Sequence, residues 1–169
     1  MDIVFDIDGT LADATHRLHY IKDPASWKSI NGKPPSPDWK SFLSDEQVIQ
    51  DAPMPQTWEV LHGLLAQGNR AIFITGRSQA QEALTWYWLT QMCDVRRPAA
   101  EYLIRYPEHK IFMRAIGDNR PSHIVKRELL NRARELGYNP KMAFEDRIDD
   151  TFMWRQEGLL CAQVAEGNY

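Results

Sequence analysis

Short, unbroken apolar runs alternate along this chain with longer stretches that repeat on a helical period. Ile3–Phe5, continued by Ile7, reads as a buried strand. Ala71–Ile74 is a second such run, Tyr102–Ile104 a third, Met142–Phe144 a fourth and Leu160–Val164 a fifth. Between them, Pro55 opens a helix with Trp58, Leu61 and Leu65 on one face and Gly68 just past its end. Gln79–Met92 has helical character. Ser122 stands where a cap belongs, ahead of a stripe of Val125, Leu129, Ala133 and Leu136 that Gly137 closes. Ile148–Gln156 is a further helix. Strands alternating with helices predict an α/β fold with a mainly parallel sheet flanked by helices. In such folds chemistry gathers at the carboxyl ends of the strands.

One region breaks the pattern. Pro24 to Pro55 holds six of the ten prolines and little continuous apolar pattern, with Trp27, Trp39 and Phe42 as anchors. It reads as a small helical insert, residues 13–54, within a single domain spanning 1–169. Composition supports a folded chain: of 169 residues, 43% are hydrophobic and 11% aromatic, enough to bury a core without staples. A net charge of −3 argues against indiscriminate coating of nucleic acid, though not against local recognition of a strand end. No run approaches a membrane span, and Met1-Asp2-Ile3-Val4 does not resemble a signal peptide. Cys93 and Cys161 make no disulfide framework, so a cytoplasmic protein with core cysteines is expected.

Polar residues at the strand ends carry the candidate chemistry. Asp6-Ile7-Asp8-Gly9-Thr10 places two carboxylates on one side of a buried strand, ~7 Å apart along the chain. Such acids repel each other and lose hydration, which a divalent cation would offset. The competing reading is an ordinary Asp-Gly turn. Thr75-Gly76-Arg77 after the second strand offers a hydroxyl and a guanidinium to a phosphate. Gly117-Asp118-Asn119-Arg120-Pro121-Ser122 precedes a helix bearing Lys126 in its first turns. There a cation is unfavourable against the helix dipole unless an anion lies close. Glu145-Asp146-Arg147-Ile148-Asp149-Asp150 follows the fourth strand. Asp149 and Asp150 suit a helix N-terminus, whereas Asp146 stands at the strand exit as a metal ligand, with Glu145 holding a metal-bound water. The five histidines, His16, His19, His62, His109 and His123, form no zinc spacing. Trp86, Tyr87 and Trp88 offer faces for base stacking, but at least one belongs to the core; Trp27 and Trp39 are better stacking candidates, with anchoring of the insert as the expected job, and Arg96-Arg97 reads as a solvated loop.

Taken in order, these signals resemble the haloacid dehalogenase (HAD) superfamily of phosphotransferases, whose core would correspond to residues 1–12 and 55–169. A closer resemblance is to the 3′-phosphatase domain of phage-type polynucleotide kinase-phosphatases. It rests on Arg17, eleven residues after Asp6, on Gly76-Arg77, on Gly117-Asp118-Asn119-Arg120, and on Glu145-Asp146-Arg147. Met153-Trp154-Arg155 and Gln163-Val164-Ala165-Glu166-Gly167 extend it to the end of the chain. Two features depart from that family: its acidic pair is usually Asp-Asp, and its insert is shorter.

The resemblance implies a HAD-like Rossmannoid sheet with a helical cap and a Mg²⁺-dependent phosphomonoesterase. Asp6 would attack phosphorus, and a protonated Asp8 would serve the leaving alcohol. Thr75 and Lys126 would hold the transferring oxygens. Arg17, Gly76, Arg77, Asp118 and Arg120 would position substrate. Metal would sit on Asp6, Asp146, the Asp8 carbonyl and, through water, Glu145. Expected substrates are 3′-phosphorylated DNA or RNA ends, or alternatively nucleotides and other small phosphomonoesters. No Gly-x-x-x-x-Gly-Lys-Ser/Thr run is present, so no kinase half is expected. A phosphoacceptor switch is a third possibility, disfavoured by Asp8. No protein partner is legible.

Overall fold

The computed structural model describes residues 1–29, 31–92 and 110–167. Asp2–Phe5 (β1) lies at the centre of a five-stranded sheet. Its neighbours are Arg70–Ser78 (β4) and Pro140–Glu145 (β6), with Lys110–Arg114 (β5) and Leu160–Gln163 (β7) at the edges. Every pairing is parallel. A central parallel strand is covered on both faces, which is why β1 is apolar without alternation.

Ile3 and Phe5 point into one core with Trp58, Leu61, Phe73 and Trp88, under the helices Pro55–Ala66 (α4) and Glu82–Met92 (α5). Val4 and Ile72 point the other way, into a core with Val125, Leu129 and Trp154 under Ser122–Glu135 (α6) and Ile148–Gln156 (α7). Because all strands run the same way, Asp6, Thr75, Arg114 and Glu145-Asp146 emerge along one edge.

The insert is stapled at its neck. Ala12–Asp13 (β2) pairs antiparallel with Ala52–Pro53 (β3), and the Met54 N–H donates to the Leu11 carbonyl. Between them lie the short helices His19–Lys22 (α1), Trp39–Phe42 (α2) and Asp45–Val48 (α3), anchored by buried Ile21, Phe42 and Val48.

Several expectations need correction. The second strand does not stop at Ile74 but runs on through Thr75-Gly76-Arg77, with a register irregularity against β5 between Thr75 and Ser78. The edge strand Lys110–Arg114 was not anticipated, since only Ile111-Phe112-Met113 is apolar and charges flank it. Tyr102–Ile104, Cys93, Arg96-Arg97 and His109 lie outside the described residues. In the α6 stripe Leu136 is exposed and Leu130 is buried in its place. Ser122 is the first residue of α6 rather than its cap, and its hydroxyl donates to Asp150 Oδ2 instead (2.8 Å). Trp39 is not a core anchor: it is 46% exposed.

Candidate active site

The end of β1 carries the first cluster. Asp6 continues the strand, its N–H donating to the Phe144 carbonyl. Gly9, at φ +83°, then allows the tight reversal in which the Gly9 N–H meets the Ala12 carbonyl. Lys126 reaches Asp6 from α6. Its Nζ lies 2.8 Å from Asp6 Oδ1, 2.8 Å from Glu145 Oε2 and 2.9 Å from Asp150 Oδ2, and all four residues are buried. Glu145 is held on both oxygens: Oε2 also accepts from Trp154 Nε1 (3.0 Å), and Oε1 from the main-chain N–H groups of Asp146 and Arg147. Asp6, Glu145 and Asp146 bring one carboxylate oxygen each within 4.8 Å of one another. A Cβ at Gly167 would collide with the Asp146 carboxylate, so this close approach requires glycine.

Carboxylates crowd the centre of this cluster. Lys126 Nζ is within ion-pair distance of Asp6, Glu145 and Asp150, on which Arg147 also acts, and Asp146 stands beside Asp6 and Glu145. Burial, then Glu145, then Asp146 and Asp8 push the Asp6 carboxyl well above its ordinary range, against the opposing pull of Lys126. Burial alone would lower the Lys126 ammonium, but Asp6, Glu145 and Asp150 hold it well above its usual value. A buried set of carboxylate oxygens with too little positive charge fits a hard divalent cation.

Asp8 lies in a second cluster of opposite character. Arg17 Nη2 donates to Asp8 Oδ1 (2.6 Å), as does Arg77 Nη2 (2.6 Å), and Arg77 Nε spans both Asp8 oxygens. Both guanidiniums also reach Asp51. Arg17 binds it through Nε (2.8 Å) and Nη2 (2.7 Å), and Arg77 through Nη2 (2.9 Å). The Asp51 carbonyl in turn accepts from Trp88 Nε1 (2.8 Å). Arg17 and Arg77 are each 0% exposed, and each lies over an aromatic ring, Phe42 and Trp88 respectively. Burial would raise the Asp8 carboxyl, yet Arg77 and Arg17 overcome it and hold the group well below the ordinary carboxylate range.

A cleft of about 540 Å³ opens onto both clusters. Its floor includes Asp6, Asp8, Gly76 and Lys126, and the loop from Asp118 to Ser122 forms one wall. Thr75 is buried beside it, its Oγ1 accepting from the Arg77 N–H (3.2 Å), which leaves the hydroxyl proton to donate. Arg114, at the end of β5, lines the cleft and donates to the carbonyls of Gly76 (2.9 Å) and Arg120 (2.7 Å). Arg120 forks onto Asp118 and Glu128, and with the Arg120 N–H it draws the Asp118 carboxyl down to about 2.

The profile of the "Polynucleotide kinase PNKP phosphatase domain" family matches residues 37–169. The chain belongs to that family. It is therefore a phosphatase of the HAD superfamily. Among solved structures it is similar to the Pnkp1/Rnl/Hen1 complex, at 24% identity and TM-score 0.67 over 99% of this chain and 46% of that one. It is also similar to the class C acid phosphatase from Bacillus anthracis (17% identity, TM-score 0.61, 99% and 67% of the two chains). A third is CbbY from Rhodobacter sphaeroides in complex with phosphate (19%, TM-score 0.57, 95% and 84%). At these identities the likeness is one of fold. The chain spans about half the length of the chains it matches in that complex.

Seen as a member of this family, the chain brings Asp6, Asp8, Thr75, Lys126, Glu145 and Asp146 to one sheet edge, with Arg17 and Arg77 against Asp8. Gly76, Asp118 and Arg120 line the cleft. The contacts of three of these residues are specific. Asp8 is ion-paired with Arg17 and Arg77. Lys126 is within ion-pair distance of Asp6, Glu145 and Asp150. Glu145 accepts from Lys126, Trp154 Nε1 and the main-chain N–H groups of Asp146 and Arg147. Asp51, Asp150 and Arg114 were not singled out for the site. Asp150 stands in the first turn of α7, as its pattern predicts, and there it is 0% exposed and paired with Lys126 and Ser122. Its place one helical turn after Asp146 was the available signal. No helix among the described residues is long and apolar enough to cross a membrane.

Proposed function

We propose that this phosphatase is a Mg²⁺-dependent phosphomonoesterase that works through an aspartyl-phosphate on Asp6 and removes 3′-phosphate from nucleic-acid ends. The carrying observation is the convergence of Asp6, Lys126, Glu145 and Asp146 in a charge-deficient buried cluster beneath an open cleft. Asp6 and Asp146, with the Asp8 carbonyl, would hold Mg²⁺, which would screen the carboxylates from the incoming phosphate dianion.

The chain's own residues account for the rest. Lys126 fixes the Asp6 carboxylate for attack, the P–O bond to the ester oxygen breaks, and the phosphoryl group is left on Asp6. Thr75 donates its hydroxyl proton to a phosphoryl oxygen. The dianion draws Arg77 and Arg17 toward itself, and as they turn, Asp8 loses the charges that kept its carboxyl ionised. It can then take up a proton from solvent in the cleft and deliver it to the departing alkoxide. In the second half, Asp8 accepts a proton from the water that attacks the aspartyl-phosphate, releasing inorganic phosphate and restoring Asp6.

The family match supports a nucleic-acid substrate, as does the structural likeness to an assembly described as an RNA repair complex. The test offers 3′-phosphorylated oligonucleotide, 5′-phosphorylated oligonucleotide and mononucleotides side by side, with Mg²⁺ and with chelator. Phosphate release from the 3′ end that stops with chelator is expected. A large preference for mononucleotides would replace the polymer by a small substrate, and indifference to chelator would remove the metal.

A further inference from the structure

The chain has six tryptophans, and those whose placement is easiest to explain are buried. Trp58, Trp88 and Trp154 are 4%, 0% and 0% exposed, and each spends its indole N–H on a buried acceptor: the Leu11 carbonyl, the Asp51 carbonyl and Glu145. Trp39 differs. It is 46% exposed, contributes little to the core, and lines the cleft that contains Asp6 and Asp8.

Its position is nevertheless fixed. Asp38 caps α2, accepting from the Ser41 N–H (3.0 Å) and the Ser41 hydroxyl (2.8 Å). Phe42 is 2% exposed and meets the Trp39 ring edge to face at 5.6 Å between centroids. The Phe42 carbonyl accepts from Arg17 Nη1 (2.9 Å), and the same guanidinium holds Asp8. A continuous chain of contacts, Asp8–Arg17–Phe42–Trp39, therefore ties the exposed ring to the reaction centre. The same cleft is lined by Asn119, Arg120 and Arg114. An aromatic face and cations within one cleft suit a planar base attached to a charged sugar-phosphate.

We infer that Trp39 is the platform on which the nucleobase next to the scissile phosphate stacks, making it a specificity-determining residue of this site. The inference rests on the proposed action on nucleic-acid ends and names the contact that selects a nucleoside over any other alcohol. Stacking needs only a π-face, so it favours nucleotides without choosing among bases.

The test measures kcat and KM for thymidine 3′-monophosphate and for glycerol 2-phosphate, which has no ring, in the parent, Trp39→Ala, Trp39→Phe and Tyr87→Ala. Tyr87 is 55% exposed and is not among the cleft residues, so its variant controls for loss of any surface aromatic. In Trp39→Ala the ratio of kcat/KM for nucleotide over glycerol phosphate is expected to fall about tenfold, chiefly through KM. Trp39→Phe should restore most of the ratio, and Tyr87→Ala should leave it unchanged. An unchanged ratio in Trp39→Ala, or equal losses on both substrates, overturns the stacking role. The parent alone tests the underlying reading: if it does not prefer the nucleotide, the nucleic-acid assignment fails whatever the variants do.

Discussion

Two ionic clusters lie side by side at the carboxyl edge of the sheet, and their balance differs. Around Asp8 and Asp51, two guanidiniums face two carboxylates, and the set is close to neutral by itself. Around Asp6, one ammonium faces Glu145, Asp150 and Asp6, with Asp146 close by. The opposite shifts of Asp6 and Asp8 follow from this difference and not from depth alone, since burial pushes both carboxyls upward. The self-neutral cluster can serve as architecture, holding the insert to the core through Arg17 and Asp51. The proposed Mg²⁺ would complete the cluster around Asp6. On the proposed mechanism, the attacking group sits in the carboxylate-rich cluster, next to a neighbour whose charges are matched until substrate draws its arginines away.

The largest expected effect comes from removing the nucleophile. Asp6→Asn should lower phosphate release by on the order of 10⁴-fold or more. Its thermal midpoint, read by circular dichroism without metal, should not fall, because the substitution relieves repulsion in the over-acidic cluster. Next is the balanced cluster. Asp51→Asn leaves Arg17 and Arg77 buried with Asp8 as their one full countercharge, and should cost about 3–5 kcal/mol in urea unfolding. A loss under 1 kcal/mol would show that the cluster does not brace the insert.

Metal and pH sharpen the same contrast. The unfolded Asp6 carboxyl titrates near ~3.9 and the folded one well above that. Between the two values the native state binds more protons, so stability of the metal-free protein should decrease as pH rises through that window. Asp8 has the reverse sign: its contribution is present above ~3.9 and is lost as pH falls through its depressed folded value. Asp6→Asn should flatten the first slope. Mg²⁺ at about a hundred times its dissociation constant should add about 2.7 kcal/mol to the parent at neutral pH and much less to Asp146→Asn. The smallest effect belongs to the rim. Arg120→Ala breaks an exposed fork to Asp118 and Glu128, and should leave the denaturation midpoint within error while raising KM for an oligonucleotide a few-fold.

Much of the candidate site was legible because its polar groups sit where unbroken apolar runs stop. Asp6, Thr75 and Asp146 could each be read from the run before it, and Lys126 from its awkward place near a helix N-terminus. Asp51 could not. It follows no strand, and its partners lie 34 residues before it and 26 after it. Arg114 was hidden with its strand, whose apolar core is too brief to stand out among flanking charges. Asp150 carried a sufficient local explanation as a helix N-terminal acid, and only the fold brings it to Lys126.

The sequence alone determined the α/β class, the shared edge of the sheet and the candidate carboxylates along it, because periodicity and strand-end chemistry are local properties of the chain. Tertiary structure decided which carboxylate is balanced and which is not, that Glu145 braces Lys126, and that Trp39 faces the cleft while Trp88 lies in the core. Those outcomes depend on distances between residues far apart in the chain, and electrostatic energy varies with separation and burial, neither of which a linear pattern encodes.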